Sequence, residues 1–152
     1  MPADEATGKI TTDLQGIAQG VMSSRERRIK ISVSRESLHK VVQYLVDTYG
    51  VYHISTISTV DLGDNIELIY HLFGSKKMFL VTTSVPKSDP TVKTLTGILP
   101  GAILYERENN DLMGVVAKEH PDLRRLILPD SWGDKGYPLR KDWSLAKFRG
   151  EE

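Results

Sequence analysis

Two glutamates lie close together in the run Tyr105-Glu106-Arg107-Glu108. A pair of carboxyl groups could act as general acid and general base in a hydrolytic reaction. On a helix, however, residues two apart point in different directions, whereas Arg107 and Asp111 have the i,i+4 spacing of a surface ion pair. The run therefore allows a stand-alone hydrolase that uses Glu106 and Glu108, but it favours a helix supported by a structural ion pair.

The sequence lacks the residue patterns that metal binding, phosphate binding and thiol chemistry need. The histidines at positions 39, 53, 71 and 120 are scattered, and only His120 has acidic neighbours, Glu119 and Asp122. The sequence contains no H-E-x-x-H, P-loop, G-x-G-x-x-G or G-x-S-x-G motif. It also contains no cysteine, which excludes thiolate nucleophiles and cysteine-ligated iron–sulfur clusters from this chain. We expect no catalytic residue, metal ligand or cofactor-binding residue here.

A basic run consists of Arg25, Arg27, Arg28 and Lys30. Such a run is compatible with a free-standing nucleic-acid or adaptor module. The whole chain, however, carries 20 Lys and Arg against 20 Asp and Glu, so no overall field attracts a polyanion. The run is therefore interpreted as a solvated linker, and no nucleic-acid partner is expected.

Hydrophobic periodicity predicts the elements of the first fifty residues. Leu14, Ile17 and Val21 have helical spacing and predict a helix over 12–22, and residues 29–33 are typical of a short strand. An amphipathic helix follows, with Ser34 as its N-cap and Gly50 as its C-terminal stop. Its apolar stripe consists of Leu38, Val41, Val42, Leu45, Val46 and Tyr49.

Residues 51–85 are rich in β-branched and aromatic side chains and are divided by two turn sequences, Gly63-Asp64-Asn65 and Gly74-Ser75-Lys76. They predict three strands in a meander. In the middle strand apolar and polar residues alternate, which predicts one covered and one wetter face, with the helix after Ser34 as the cover.

Prolines set the boundaries beyond the sheet. Pro86 ends it, Asp89-Pro90 predicts a short helix through Leu95, and Pro100-Gly101 opens another helix that stops at Gly114. Later prolines and glycines exclude a long helix or a central strand, so residues 115–152 should be extended.

The charges are unevenly distributed. Residues 1–104 carry 11 positive and 10 negative side chains, whereas residues 105–152 carry 9 and 10 in less than half that length. A stretch this dense in charge cannot build a core of its own. We predict an α+β fold, with a small antiparallel or mixed sheet covered by helices, followed by an extended, charge-rich C-terminal arm. The predicted domains are an N-terminal helical segment (1–28), the α+β domain (29–114) and a docking arm (115–152).

Three sequence blocks in the second half form a specific combination. They read Y-E-R-E-x-x-D-L-M-G, H-P-D-L-R-R-L-I-L-P-D and G-Y-P-L-R-K-D-W, within residues 105–143. This combination resembles the 30 kDa subunit, also called the C subunit, of respiratory complex I, and the related subunit of energy-converting membrane-bound [NiFe] hydrogenases. The motif positions are Glu106, Arg107, Glu108, Asp111, Gly114, His120, Pro121, Asp122, Arg124, Arg125, Pro138, Arg140, Lys141 and Asp142.

The resemblance implies a peripheral, non-catalytic subunit of a membrane-associated oxidoreductase, in which these positions dock the chain to other subunits. The implied partners are the large subunit, 49 kDa-like or hydrogenase-type, and iron–sulfur subunits. The resemblance also implies that iron–sulfur clusters, and in a hydrogenase a nickel–iron centre, belong to those partners. We expect a peripheral location on the cytoplasmic side of the membrane, without a membrane span of the chain's own. An NADH:quinone oxidoreductase is the leading interpretation, and the hydrogenase-type subunit is the alternative.

Overall fold

A computed structural model describes residues 3–25, 27–74 and 76–151. The predicted α+β class is confirmed, and a single 3₁₀ turn at Asp130–Trp132 adds to the regular elements. The helices and strands are α1 (Ala3–Asp13), β1 (Ala18–Arg25), β2 (Arg28–Val33), α2 (Leu38–Tyr49), β3 (Val51–Asp61), β4 (Asn65–Gly74), β5 (Lys77–Pro86), β6 (Thr91–Lys93), α3 (Ala102–Met113), β7 (Val116–Lys118) and α4 (Leu145–Arg149).

Five strands form one mixed sheet in the order β1-β2-β5-β4-β3. The pair β2–β5 is parallel and the other neighbours are antiparallel. The predicted meander of three strands is therefore confirmed as β3, β4 and β5. A parallel pair needs a crossover, and here the crossover from β2 to β5 includes α2 and two strands of the same sheet.

One side of this sheet, the covered face, lies against helices. Phe79 and Val81 on β5 are fully buried there, and the Tyr49 ring of α2 lies 5.3 Å from the Phe79 ring. The Tyr44 hydroxyl donates a hydrogen bond of 2.6 Å to Asp13, which ties α2 to the end of α1. The helices α1 and α2 therefore share this face, and the buried residues of both belong to one hydrophobic core.

The other side, which we call the open face, carries the alternate residues of the same strands. The strand register groups them as Met22 and Arg25 of β1; Arg28, Lys30 and Ser32 of β2; Met78, Leu80, Thr82 and Ser84 of β5; Glu67, Ile69, His71 and Phe73 of β4; and His53, Thr56, Ser58 and Val60 of β3. Most of these residues are half-buried or exposed, whereas nearly all of their neighbours on the covered side of β2, β4 and β5 are buried. The predicted alternation of β4 is thereby confirmed.

The predicted helix after Ser34 is confirmed as α2. The Ser34 hydroxyl accepts a hydrogen bond of 3.3 Å from the Ser37 N–H, which closes the turn that leads into the helix, whereas the helix itself begins at Leu38 with Ser37 at its N-cap position. At the other end Gly50 has φ +58° and its N–H donates to the Val46 carbonyl at 3.0 Å. The left-handed conformation of Gly50 ends the helix where the sequence predicts.

The predicted helix over 12–22 is wrong. The helix α1 lies earlier in the chain, and Gly16, with φ +76°, turns the chain after it. Residues 18–25 then pair with β2, because an added edge strand buries its backbone polar groups in a ladder. Residues 1–28 are therefore not purely helical, whereas the division into three domains stays a prediction.

The predicted helix from Asp89-Pro90 to Leu95 is also wrong. Thr91–Lys93 forms β6, which pairs in parallel with β7, the strand that follows α3. Asp89 caps a turn instead, because its side chain accepts a hydrogen bond of 3.0 Å from the Thr91 hydroxyl. Pairing with a strand distant in sequence overrides the local helix signal.

Residues 119–151, which we call the C-terminal segment, follow β7. The extended arm predicted for this region is not confirmed. The segment runs back along α3, and three of its aromatic rings then pack against one another. Trp132 stacks on Trp143 at 5.6 Å and lies 5.3 Å from Phe148. Within the described part of the chain, every helix is too short or too polar to cross a bilayer.

Candidate subunit-docking site

The helix α3 carries the first motif block and positions it against the C-terminal segment. As predicted, it follows Pro100-Gly101 and ends at Gly114, which has φ +71°. Its residues point three ways: Glu106 towards the loop after β6, Asn109 towards β3, and Arg107 and Asp111 towards the C-terminal segment.

Glu106 is buried, with 4% of its surface exposed. Its carboxylate accepts hydrogen bonds from the Thr94 hydroxyl at 2.5 Å and the Leu95 N–H at 2.7 Å. Burial raises the pKa of Glu106, and these two hydrogen bonds oppose the rise. Glu108 is half-buried and has no hydrogen bond or ion pair with any described residue. The structure therefore gives the two glutamates no shared site, and the hydrolase interpretation gains no support.

His120 joins the start of the C-terminal segment to α3. Its Nδ1 accepts a hydrogen bond of 3.0 Å from the Asp122 N–H, so Nε2 carries the proton and donates to the Ile103 carbonyl at 3.0 Å. The Glu106 carboxylate lies 3.8 Å from Nε2. Among the described residues there is no group of His, Asp and Glu side chains that could hold a metal ion.

Arg107 and Asp111 each bind the C-terminal segment, and the ion pair predicted between them is wrong. The Arg107 guanidinium donates to the carbonyls of Arg124 and Arg125, both at 2.9 Å. Asp111 is buried, and its Oδ2 accepts from three successive N–H groups of residues 126, 127 and 128 at 2.7, 2.8 and 3.2 Å. Asp111 thus accepts from three aligned N–H groups, and the Arg107 guanidinium donates to two carbonyls at once. Both arrangements bind the charged side chain more tightly than a solvated ion pair would.

Within the segment, Asp122 and Arg124 form a local pair. Arg124 donates from both Nε and Nη2 to the Asp122 carboxylate, with Nη2 at 2.7 Å, and this contact lowers the pKa of Asp122. The Arg124 side chain is nevertheless 84% exposed. Arg125 donates to the Gly133 carbonyl at 2.6 Å.

Gly114 and Arg140 form the far end of the contact. Arg140 donates to the Met113 carbonyl at 2.8 Å, and its guanidinium lies 4.4 Å from the centre of the Tyr137 ring. The Tyr137 ring also packs on Gly114, where a Cβ would lie 2.5 Å from two ring atoms. Gly114 is thus required both for its left-handed φ and for the close approach of Tyr137.

The last motif residues reach a buried ion pair that the sequence motifs do not indicate. Asp61, at the end of β3, pairs with Lys87 at 2.8 Å and accepts from the Lys141 N–H at 2.9 Å. The first of these contacts contributes most to lowering the Asp61 pKa. Asp142 lies 3.7 Å from the same Lys87 ammonium. The Asp-x-Gly spacing of Asp61 and Gly63, typical of an Asx turn, is the signal that marks Asp61.

The C-terminal segment therefore lies along the whole of α3, and most motif charges are used within the chain. Pro121 and the Lys141 side chain are exposed, and Pro138 is half-buried. Between the charged contacts the segment exposes apolar side chains: Leu126, Ile127, Tyr137, Leu139, Leu145 and Phe148. Among the described residues of α3 and the C-terminal segment, no nucleophile is hydrogen-bonded to a base. The segment presents apolar side chains at its surface, and charged contacts to α3 hold it in place.

Comparisons with known proteins identify the family of this chain. Residues 31–149 match the family described as the 30 kDa subunit of the respiratory-chain NADH dehydrogenase. The chain is 32% identical to the C subunit of NADH-quinone oxidoreductase from Rhizobium rhizogenes, over 95% of this chain and 76% of that protein. It is 30% identical to the C subunit of F(420)H(2) dehydrogenase from Methanosarcina mazei, over 76% of this chain and 75% of that protein.

Two solved structures share the fold. A chain from the membrane-bound sulfane sulfur reductase, an archaeal respiratory membrane complex, superposes with a TM-score of 0.85 at 23% identity, covering 97% of this chain and 89% of that one. A trypsin-resistant fragment of Nqo5 superposes with a TM-score of 0.66 at 22% identity, covering 79% of this chain and 98% of the fragment. The chain thus belongs to the family of the 30 kDa subunit, or C subunit, of complex I-like respiratory oxidoreductases.

Proposed function

We propose that this chain is a non-catalytic peripheral subunit that docks onto the large subunit of its complex through the C-terminal segment. The observation that carries the proposal is that the charged and the apolar residues of that segment have different roles. Its charged residues bind α3 within the chain, whereas Ile127 and Leu139 are 54% and 59% exposed. Apolar side chains held rigidly at a surface are what a stable interface buries in its centre.

The internal charges set the shape of this surface. Asp111 holds the backbone of residues 126–128, so the side chains of Leu126 and Ile127 keep a fixed direction. A surface that is ordered before binding loses less conformational entropy on binding. In this proposal the motif residues are positioning residues. They hold the docking surface in shape, and the docked chain braces the large subunit beside the electron-transfer path.

The redox chemistry then belongs to the partners. The chain has no cysteine, so iron–sulfur clusters, and in a hydrogenase-type complex a nickel–iron centre, would sit in the other subunits. We place the chain on the cytoplasmic side of the membrane. A large subunit with two C-x-x-C pairs would identify the hydrogenase-type complex, and a large subunit without them the quinone type.

The test compares assembly of tagged variants in mild detergent. Ile127→Asp and Leu139→Asp should abolish recovery of the large subunit, because a buried, unpaired carboxylate opposes docking. Leu62→Asp is the matched control, since Leu62 is 57% exposed in the β3–β4 turn. Recovery of the whole complex with both segment variants, at the level of the control, would contradict the proposal. A variant that assembles but loses turnover would instead indicate a catalytic role.

A further inference from the structure

The open face has an apolar centre but no cover within the described residues. Ile69 and Phe73 on β4 and Met78 and Leu80 on β5 are half-buried, and Met22 on the edge strand β1 is 66% exposed. An antiparallel sheet that faces water normally carries polar residues on its wet side. Contiguous apolar side chains at a surface mark an interaction site.

Cations border this centre on one side. The strand register places Arg25 opposite Arg28, and Met22 opposite Lys30. Arg28 in turn lies beside Met78, so the pair of Arg25 and Arg28 is next to the apolar centre. Glu67 is the one acidic residue at an open-face position of the described strands.

A second turn brings more positive charge to the same end of the sheet. The Met78 N–H donates to the Arg27 carbonyl at 2.9 Å, so Arg27 in the β1–β2 turn lies beside the start of β5, next to Lys76 of the β4–β5 turn. Within the described residues, no salt bridge includes Arg25, Arg27, Arg28, Lys30 or Lys76. The basic run that the sequence suggested to be a linker is therefore part of a larger basic patch, in which these five cations have no salt bridge to a described residue.

We propose that the open face is a second docking surface, which binds a partner subunit with an apolar centre and an acidic rim. Arginine forks bind carboxylates in a bidentate manner, and three of these cations are arginines. Half-buried side chains such as Phe73 and Leu80 fit the shaped surface of a protein. They do not project as lipid-inserting residues do, and a phosphate backbone offers them no apolar counterpart.

The proposal rests on the chain being a subunit but not on docking by the C-terminal segment. The helix α3, with that segment along it, packs on the covered side, where the Gly101 backbone lies beside the Ile54 side chain. A chain with interfaces on both sides of its sheet would be held between two neighbours.

The test uses the assembled complex, purified in mild detergent and treated with a carbodiimide that links amines to carboxylates in direct contact. We expect mass spectrometry to find Lys30 or Lys76 joined to an Asp or Glu of a partner subunit. We also expect the R28E/K30E variant to be retained at least about tenfold less in the complex at about 0.15 M salt. The matched control is K9E/K40E, which reverses two exposed lysines on α1 and α2.

Several outcomes would overturn the proposal. Cross-links from Lys9 or Lys40 but none from Lys30 or Lys76, or equal retention of both double variants, would do so. Binding of the isolated full chain to phosphatidylglycerol vesicles or DNA, lost in R28E/K30E while assembly stays normal, would assign the patch to lipid or nucleic acid instead. The neutral variant R28Q/K30Q, with an unchanged thermal midpoint, excludes misfolding as the cause. If Ile127→Asp assembles normally while R28E/K30E does not, only docking by the C-terminal segment fails.

Discussion

The covered face and the open face are built from the same five strands but differ in what lies against them. In β5 the neighbours Phe79 and Leu80 show the difference, because Phe79 is fully buried under α2 and Leu80 is half-buried without a helix over it. Alternation along a strand shows which residues share a face. It does not show whether the chain itself or another molecule covers that face. The covered face therefore serves the stability of the chain, and the open face is free to serve assembly.

The largest expected effect compares these two neighbours directly. Phe79→Ala should lower the free energy of unfolding by about 3–5 kcal/mol, because it leaves a cavity in the core. Leu80→Ala should lower it by about 1 kcal/mol or less, since little of its surface is removed from water by the chain's own folding. Denaturant titration of the isolated full chain measures both. Equal losses would show that something within the chain covers the open face.

Asp111→Ala should rank next, with a loss of about 3 kcal/mol, since the N–H groups of residues 126–128 would lose a charged acceptor. Asp111→Asn retains one acceptor oxygen and should lose less. Asp134→Ala is the control, because Asp134 is an exposed acid of the same segment. A similar small effect of Asp111→Ala and the control in thermal unfolding would show that the segment does not need this contact.

Gly114→Ala should cost about 2 kcal/mol, because an alanine at φ +71° is strained and its Cβ would meet the Tyr137 ring. The matched change is Gly97→Ala, where no atom lies within 4 Å of the added Cβ. Faster proteolysis of the C-terminal segment in Gly114→Ala, but not in Gly97→Ala, would confirm that Tyr137 is displaced. Identical proteolysis rates would contradict the packing described.

A histidine on the open face, His71, should make the stability of the chain modestly dependent on pH. Burial first, and the charge of Arg28 second, lower the pKa of His71 below its ordinary value of 6.5. Because the folded state binds this proton less readily than the unfolded state, the full stability is present above pH 6.5 and is lost as the pH falls towards the lowered pKa. His71→Gln should flatten the stability curve in that window. In NMR titration, Arg28→Gln should raise the His71 pKa. An unchanged pKa would show that the charge of Arg28 does not act on His71.

The smallest effect on stability is expected for Arg124→Ala, because its pair with Asp122 is solvent-exposed and screened by water. The same variant should lose the assembled complex if Arg124 contacts a partner. Arg140→Ala should lose it too, but with a measurable loss of stability, since Arg140 binds the Met113 carbonyl. Normal assembly of Arg124→Ala would restrict docking to the apolar residues of the segment.

The elements that the sequence predicts correctly are those with strong local signals. The helix α2 has a capping serine, an apolar stripe and a C-terminal glycine, and all act within one stretch of chain. The strands β3, β4 and β5 are joined by tight turns, so their pairing is also local. The end of α3 follows from Gly114, whose conformation few other residues adopt.

The errors fall where distant residues decide the structure. Residues 18–25 become a strand because β2 offers them a ladder, and residues 91–93 because β7 does. In the candidate site the motif identifies Arg107 and Asp111, but not their partners. Both bind backbone groups of the C-terminal segment, and main-chain N–H and carbonyl groups leave no trace in a sequence motif.

The parallel pairing of β2 with β5 has a consequence for the order of folding. Arg28 lies beside Met78, fifty positions later in the chain, so this ladder closes a long loop. Such contacts form slowly, because the entropy of loop closure is lost before any pairing energy is gained. The meander of β3, β4 and β5 can form first from local contacts. We therefore expect the hairpin of β1 and β2 to add to β5 last. On this order of folding, the basic end of the open face is complete only in a chain that has finished its sheet.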